Sequence, residues 1–232
     1  MSRETFLQHV RQAAQAGRAY RVHLREVPAT AGYVGSDDDR CAAMATEVDE
    51  VGGSGRIVND WNAAREALTV VLTDNHVQSA LCWQHPILKE LALPSLLSAH
   101  QISAHDFDSL ANLEPGERRR VLLAADIGIS GIDYAIAETG TLLLCSRPGQ
   151  ERVVSLLPPV HVAIVHEKQI VPDLIDAIDE IIRQGTQSLP SNITLITGPS
   201  KTGDIELQLT TGVHGPGKWY VIIIRNDGPQ RM

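Results

Sequence analysis

Two short stretches of this 232-residue chain concentrate the side chains that do chemistry. The longer runs from Gly198 to Pro216, GPSKTGDIELQLTTGVHGP. Gly198-Pro199 leads into Ser200, Lys201 and Thr202, which offer a hydroxyl, an ammonium and a second hydroxyl. Asp204 and Glu206 add carboxylates, and His214 precedes Gly215 between glycines. Glycine lets backbone approach a ligand closely, and proline fixes the path of the loop. Such a cassette suits a small acidic or phosphorylated molecule, with backbone N–H groups entering a following helix to join Lys201 around the anion. It is not a P-loop, because Ser200 precedes Lys201 and the upstream glycine spacing is wrong. Histidine changes charge near neutral pH, so His214 is a candidate to transfer or orient a proton. A solvated loop lysine and a surface histidine are the plainer readings of the same residues.

The shorter stretch is Asp133–Thr141, DYAIAETGT. A strand is expected to end at Ala137, with Glu138 at the turn and Gly140 letting the chain reverse into TLLLCS. A carboxylate placed there can act as nucleophile or general base, with Thr139, Gly140 and Thr141 bordering the ligand. It can equally accept backbone hydrogen bonds and close a hairpin. Asp126 precedes the same strand and joins the candidate ligand-binding set, with a helix-end turn as its alternative.

The surrounding elements must position these groups. Apolar spacing predicts helices over Ser2–Gly17, from Asp37–Asp39 to Val51, and over Trp61–Leu72, Pro86–Leu93, Glu117–Ala125 and Pro172–Gln184. The last carries Leu174, Ile175, Ile178, Ile181 and Ile182 on one face. Pro94 is expected to end the fourth. Strands are expected at Arg56–Val58, Ser79–Trp83, Tyr134–Ala137, Thr141–Ser146, Val160–Val165, Ile193–Ile196 and Tyr220–Ile224. Helices alternating with short apolar strands argue for an α/β fold with a mostly parallel sheet covered on both faces. The cassette would then lie beyond strand carboxyl ends, where open α/β sheets bind ligands. The absence of repeats and linkers points to one domain over 1–232, with 1–36 as an N-terminal helix and arm.

Composition narrows the function. The formal charge is −8, and only Arg118–Arg120 form a basic run, so no footprint for nucleic acid or anionic lipid is expected. No apolar run reaches the ~18 residues of a membrane span. The polar N-terminus lacks a secretory apolar segment, so a cytoplasmic location is expected. Of the 20 basic residues 16 are arginine, and two of the four lysines, Lys201 and Lys218, fall in or beside the cassette. Cys41, Cys82 and Cys145 form no C-x-x-C pair and are too few for a four-thiolate iron–sulfur or zinc site. The histidines make no metal-ligand spacing, so no metal is expected in this chain.

Taken together, ADIGISGIDYAIAETGTLLL, SLLPPVHVAIV, GPSKTGDIE and GVHGPGKWYVIII resemble the LUD domain family, and within it the lactate-utilization group. The resemblance covers roughly residues 120–225 well and the N-terminal half by length and texture. It implies a three-layer α/β/α sandwich with a mostly parallel sheet, like glucosamine-6-phosphate deaminase, ribose-5-phosphate isomerase and class I CoA-transferases. It also implies a component without clusters of its own that supports oxidation of L-lactate to pyruvate beside iron–sulfur sibling subunits. Glu138-Thr139-Gly140 is similar in outline to the catalytic glutamate motif of class I CoA-transferases. The alternative is therefore a stand-alone transferase or isomerase acting on a small carboxylate, sugar phosphate or CoA ester.

Overall fold

The computed structural model describes residues 3–17, 39–183, 190–203 and 209–225. The chain divides into two units, residues 1–32 and 33–232. The smaller contributes helix α1 (Arg3–Gly17), on which Phe6, Leu7 and Val10 are exposed. The arm expected over 18–36 lies outside the described residues.

In the larger unit, helix α2 (Arg40–Glu50) leads to β1 (Ser54–Val58), and α3 (Trp61–Asp74) to β2 (Ser79–Cys82). Helices α4 (Pro86–Glu90) and α5 (Leu93–Ala99) precede β3 (Ser103–His105). Helices α6 (Phe107–Ala111) and α7 (Pro115–Ala124) precede β4 (Ile127–Ser130). The strands β5 (Tyr134–Ile136) and β6 (Thr141–Ser146) follow, then α8 (Val153–Leu156), β7 (Val160–His166) and β8 (Ile170–Val171). The chain continues through α9 (Leu174–Arg183), β9 (Asn192–Ile196), β10 (Lys201–Gly203), β11 (Leu209–Thr211) and β12 (Lys218–Ile224).

Six strands form one sheet in the order β1-β12-β7-β4-β2-β3, every neighbouring pair parallel. Parallel strands covered on both faces read as continuous apolar runs, and Val160–Val165 is buried throughout. Tyr220 and Val221 point to opposite faces of β12. On the first face, Asn75 at the end of α3 donates to the Tyr220 hydroxyl at 3.4 Å. On the second, Gly55, in register with Val221, lies against the backbone of Ala45 in α2. A Cβ on Gly128 would sit 1.8 Å from the Val154 carbonyl oxygen, so α8 also rests directly on the sheet. Helices thus cover both faces of a parallel sheet, the α/β class expected.

Asp39 supplies the charge expected at the start of α2: it accepts from the Ala42 N–H at 3.0 Å and pairs with Arg225. The Ala42 N–H and the Arg225 guanidinium hold its carboxyl below the usual range. Three features depart from the sequence reading. A second sheet, β8-β5-β6-β9, is mixed, with β5–β6 and β6–β9 antiparallel. Pro94 opens α5 instead of closing α4, because Ala92 takes the left-handed conformation (φ 55°) and makes the break, leaving proline free for the first helical turn. On α9 only Ala177 and Ile181 are buried, packed on Ile136, Leu143 and Cys145. Leu174, Ile175, Ile178 and Ile182 remain 38–62% exposed.

Candidate functional site

The cassette leaves the carboxyl end of β9 and returns to the amino end of β12. It therefore follows a strand end in the second sheet, yet lies over the amino edge of the six-stranded sheet. Among the described residues, a strand and not a helix follows Ser200. Lys201–Gly203 pairs antiparallel with Leu209–Thr211, so the expected ring of helix-entry N–H groups is replaced by a β-ribbon. The β-branched Thr202, Thr210 and Thr211 favour that choice. Gly212 (φ 80°) then turns the chain, and its N–H donates to the Ser200 carbonyl at 2.9 Å. Ser200 N–H donates to Pro216 at 2.8 Å and Gly217 N–H to Pro159 at 2.9 Å, which ties the loop down over β7.

Beneath this loop lies a cavity of about 190 Å³ between the two sheets. Gly198, Ser200, His214 and Gly215 form its cassette wall, and Thr197 closes the end of β9. His161 of β7 and Trp219 of β12 line the opposite side, in register on adjacent strands and so on one face of the sheet. His161 is fully buried, and its Nε2 hydrogen-bonds with Ser130 Oγ at 2.9 Å. Burial pushes its imidazole down to about 3, so the ring is neutral at physiological pH. Its Nδ1 has no partner, and neither has Nε1 of Trp219, which is 2% exposed. The benzo edge of Trp219 abuts Gly53, where a Cβ would meet Cε3 at 2.5 Å. His161 and Trp219 thus line one small cavity, while their unpartnered nitrogens are themselves buried.

The other candidate residues gather elsewhere. Gly140 (φ 62°) turns the chain between β5 and β6, and a Cβ there would strike the backbone of Glu47 and Val48 in α2. Glu138 and Thr139 in this turn are exposed, and the Glu138 N–H donates to Pro172 at 3.1 Å. Thr139, Thr141 and Thr197 form a hydroxyl chain with 2.7 Å steps, which links the turn to the cavity wall. Lys201 donates its ammonium to the Val51 carbonyl at the end of α2, where a cation favours the helix dipole. Gly198 also lies against Val51, and Pro199 lies near Gly52. Thr202 is half-buried within β10. Asp126 accepts from the N–H groups of Gln78 and Ser79, both at 2.9 Å, and joins the starts of β2 and β4. Asp204 and Glu206 lie outside the described residues. Among the described residues, neither Glu138 nor Lys201 lines the cavity that holds His214 and Ser200.

The LUD domain model matches residues 41–224. The chain belongs to the LUD domain family. Lactate utilization protein C of Halalkalibacterium halodurans is 34% identical over 164 residues, 69% of each chain. The Geobacillus protein of the same name is 31% identical over 240 residues, 96% of this chain and 95% of the relative. A crystal structure of a DUF162 family protein from Deinococcus radiodurans has the same fold, with 21% identity and a TM-score of 0.56 over 80% of this chain and 96% of that one.

Within this LUD domain the sequence reading missed His161, Trp219 and Thr197. His161 sits in an apolar strand and carries no local motif. Trp219 looks like core. It also missed a larger cleft, about 490 Å³, at the carboxyl ends of β2 and β3. There Gln84 donates to Asp106 at 3.0 Å and to Asp108 at 2.8 Å. The His85 ring lies where a Cβ on Gly131 would be, 2.3 Å from Nδ1. A signal existed: the polar run Gln84-His85 directly follows an apolar strand.

Proposed function

We propose that this LUD domain protein acts in the cytoplasm in lactate utilization, supporting oxidation of L-lactate to pyruvate with iron–sulfur partner subunits. In this reading it holds a small anionic ligand in the cavity under the cassette, touched by Gly198, Ser200, His214 and Gly215. The observation that carries the role is the nearly full-length likeness to a relative named lactate utilization protein C. The observation that supports the ligand is a cavity walled by the polar cassette. Three separated cysteines, all buried, support cluster chemistry residing in the partners. Burial pushes the thiol of Cys82 up to about 12 and that of Cys145 to about 11, so both stay protonated at neutral pH. The exposed apolar stripe Ile175, Ile178 and Ile182 on α9 offers a surface for those partners.

Deletion of the coding sequence should abolish growth on L-lactate, and restoring the wild-type chain should rescue it. The tagged chain should co-purify with iron–sulfur subunits, and Ile178→Asp with Ile182→Asp should break that association while leaving the melting temperature near wild type. Undiminished growth of the deletion strain on lactate would remove the role.

A further inference from the structure

We propose that the cleft at the carboxyl ends of β2 and β3 binds a small organic cation, an amine or guanidine with an apolar body, whose charged head is received by Asp106 and Asp108. The site is separate from the cavity under the cassette, with which it shares no lining residue. It stands independently of the proposed lactate role.

The cleft of about 490 Å³ is in the size range of small-molecule sites and lies where parallel sheets bind ligands. Two stretches of chain supply its two kinds of lining. After β2, Pro86 starts α4 and the left-handed Ala92 separates it from α5, and Leu88, Leu93, Pro94 and Leu97 of these helices give an apolar wall. After β3 come Asp106 and Asp108. Asp106 is fixed by reciprocal capping: its Oδ1 accepts the Ser109 N–H at 3.0 Å, and Ser109 Oγ accepts the Asp106 N–H at 2.8 Å. The Gln84 amide nitrogen donates to Oδ2 of Asp106 at 3.0 Å and to Oδ2 of Asp108 at 2.8 Å. Bonded to one nitrogen, the two oxygens lie less than 6 Å apart. One ammonium or guanidinium, with several N–H donors, reaches both.

Two carboxylates gathered on a neutral amide favour a cation beside them. Among the described residues neither forms an ion pair. The other titratable groups lining the cleft leave that charge unmet. Lys89 is exposed, so its stem can line the wall with the ammonium in water, and His105 is half-buried without an ion pair. His85 Nδ1 accepts the Ile87 N–H at 3.3 Å, and burial holds the ring below its usual range, so it adds no positive charge at neutral pH. Burial and the nearby Asp106 push the Cys82 thiol up to about 12, which keeps it neutral as well. Among the described residues no three His, Cys, Asp or Glu side chains are placed to hold a metal ion. The apolar wall also suits a hydrocarbon body better than a hydrated ion.

The experiment is calorimetric titration of the purified wild-type chain at neutral pH and low salt. The probes are tryptamine, phenethylamine and agmatine, with tryptophol and phenylethanol as uncharged counterparts of the first two. At least one amine should saturate with a Kd below about 1 mM and weaken as salt is added. In wild type that amine should also move the backbone amide resonances of Gln84 and Asp108. Asp108→Asn, a change at an exposed position, should weaken it about tenfold with the urea midpoint near wild type. Absence of binding by every amine overturns the proposal. So does an alcohol that binds as tightly as its amine, or an amine that binds while those two resonances stay fixed or that binds Asp108→Asn as well as wild type. The wild-type measurements need no variant to fold. Because they concern the isolated chain and a different cavity, their failure is distinct from a failed lactate-growth test of the proposed role.

Discussion

Acid should weaken this protein through His161, and the size of the effect follows from the burial. The free imidazole titrates near 6.5, whereas burial holds the folded one at about 3. In the fold the neutral form is therefore favoured. Its contribution is fully present above pH 6.5 and is lost as pH falls, because the unfolded chain binds a proton that the native one refuses. From pH 8 to pH 5 the unfolded histidine goes from almost wholly neutral to almost fully protonated, and the linkage integral is about 2 kcal/mol. Below pH 3 the loss would level off near 5 kcal/mol, at about 1.4 kcal/mol per pH unit on the way. The assay is urea unfolding of wild type and His161→Gln at both pH values. All other groups titrate in both proteins, so the difference between the two pH dependences isolates His161. The variant should lose about 2 kcal/mol less than wild type on going from pH 8 to pH 5. Parallel losses would refute the reasoning, since they would mean that the buried ring accepts a proton where it sits. A direct check on wild type is the ring nitrogen signal of His161, which should remain that of a neutral imidazole at pH 5.

Other perturbations test the scaffold around the site. Gly128→Ala places a Cβ 1.8 Å from the Val154 carbonyl, so α8 must lift from the sheet; a loss of about 1–3 kcal/mol or more is expected by chemical denaturation. Asp126→Ala strands the amide groups of Gln78 and Ser79, which tie β2 to β4, and should cost about 1–3 kcal/mol. Lys201→Ala removes a cation from the end of α2; the expected penalty is about 0.3–1 kcal/mol, read as a small fall in melting temperature that vanishes at high salt. A large drop in ligand affinity from the same variant would show instead that the ammonium turns toward the cavity when it is filled.

Much of the scaffold was legible. Val160–Val165, apolar but for His161, and Trp219–Ile224 read as strands covered on both faces, and β7 and β12 are interior strands of the large sheet. The Glu138–Gly140 turn was legible too, because a glycine with positive φ between two apolar runs has few other uses. The second sheet was legible only in its β5–β6 reversal, since the partner that β6 takes on its other side, β9, lies far along the chain. The strand-to-helix reading at Ser200 failed for a related reason. Three residues of β10 gain their identity only from pairing with β11. The exposed face of α9 has helical periodicity, but periodicity shows only that a face is apolar, not what covers it.

Sequence alone determined that Gly198–Pro216 would be a connection rich in polar groups between two strands, and that this chain carries too few cysteines to hold a four-thiolate cluster. Tertiary structure decided which of those groups share a space. Register between β7 and β12 sets His161 beside Trp219, and closure of the second sheet over them makes the cavity. The same packing carries Lys201 to the end of α2 and leaves Glu138 exposed in its turn. The physical reason is that a side chain's type fixes what it can bind, whereas burial and pairing, set by residues distant in the chain, fix whether that capacity is spent on the fold or left open to a ligand.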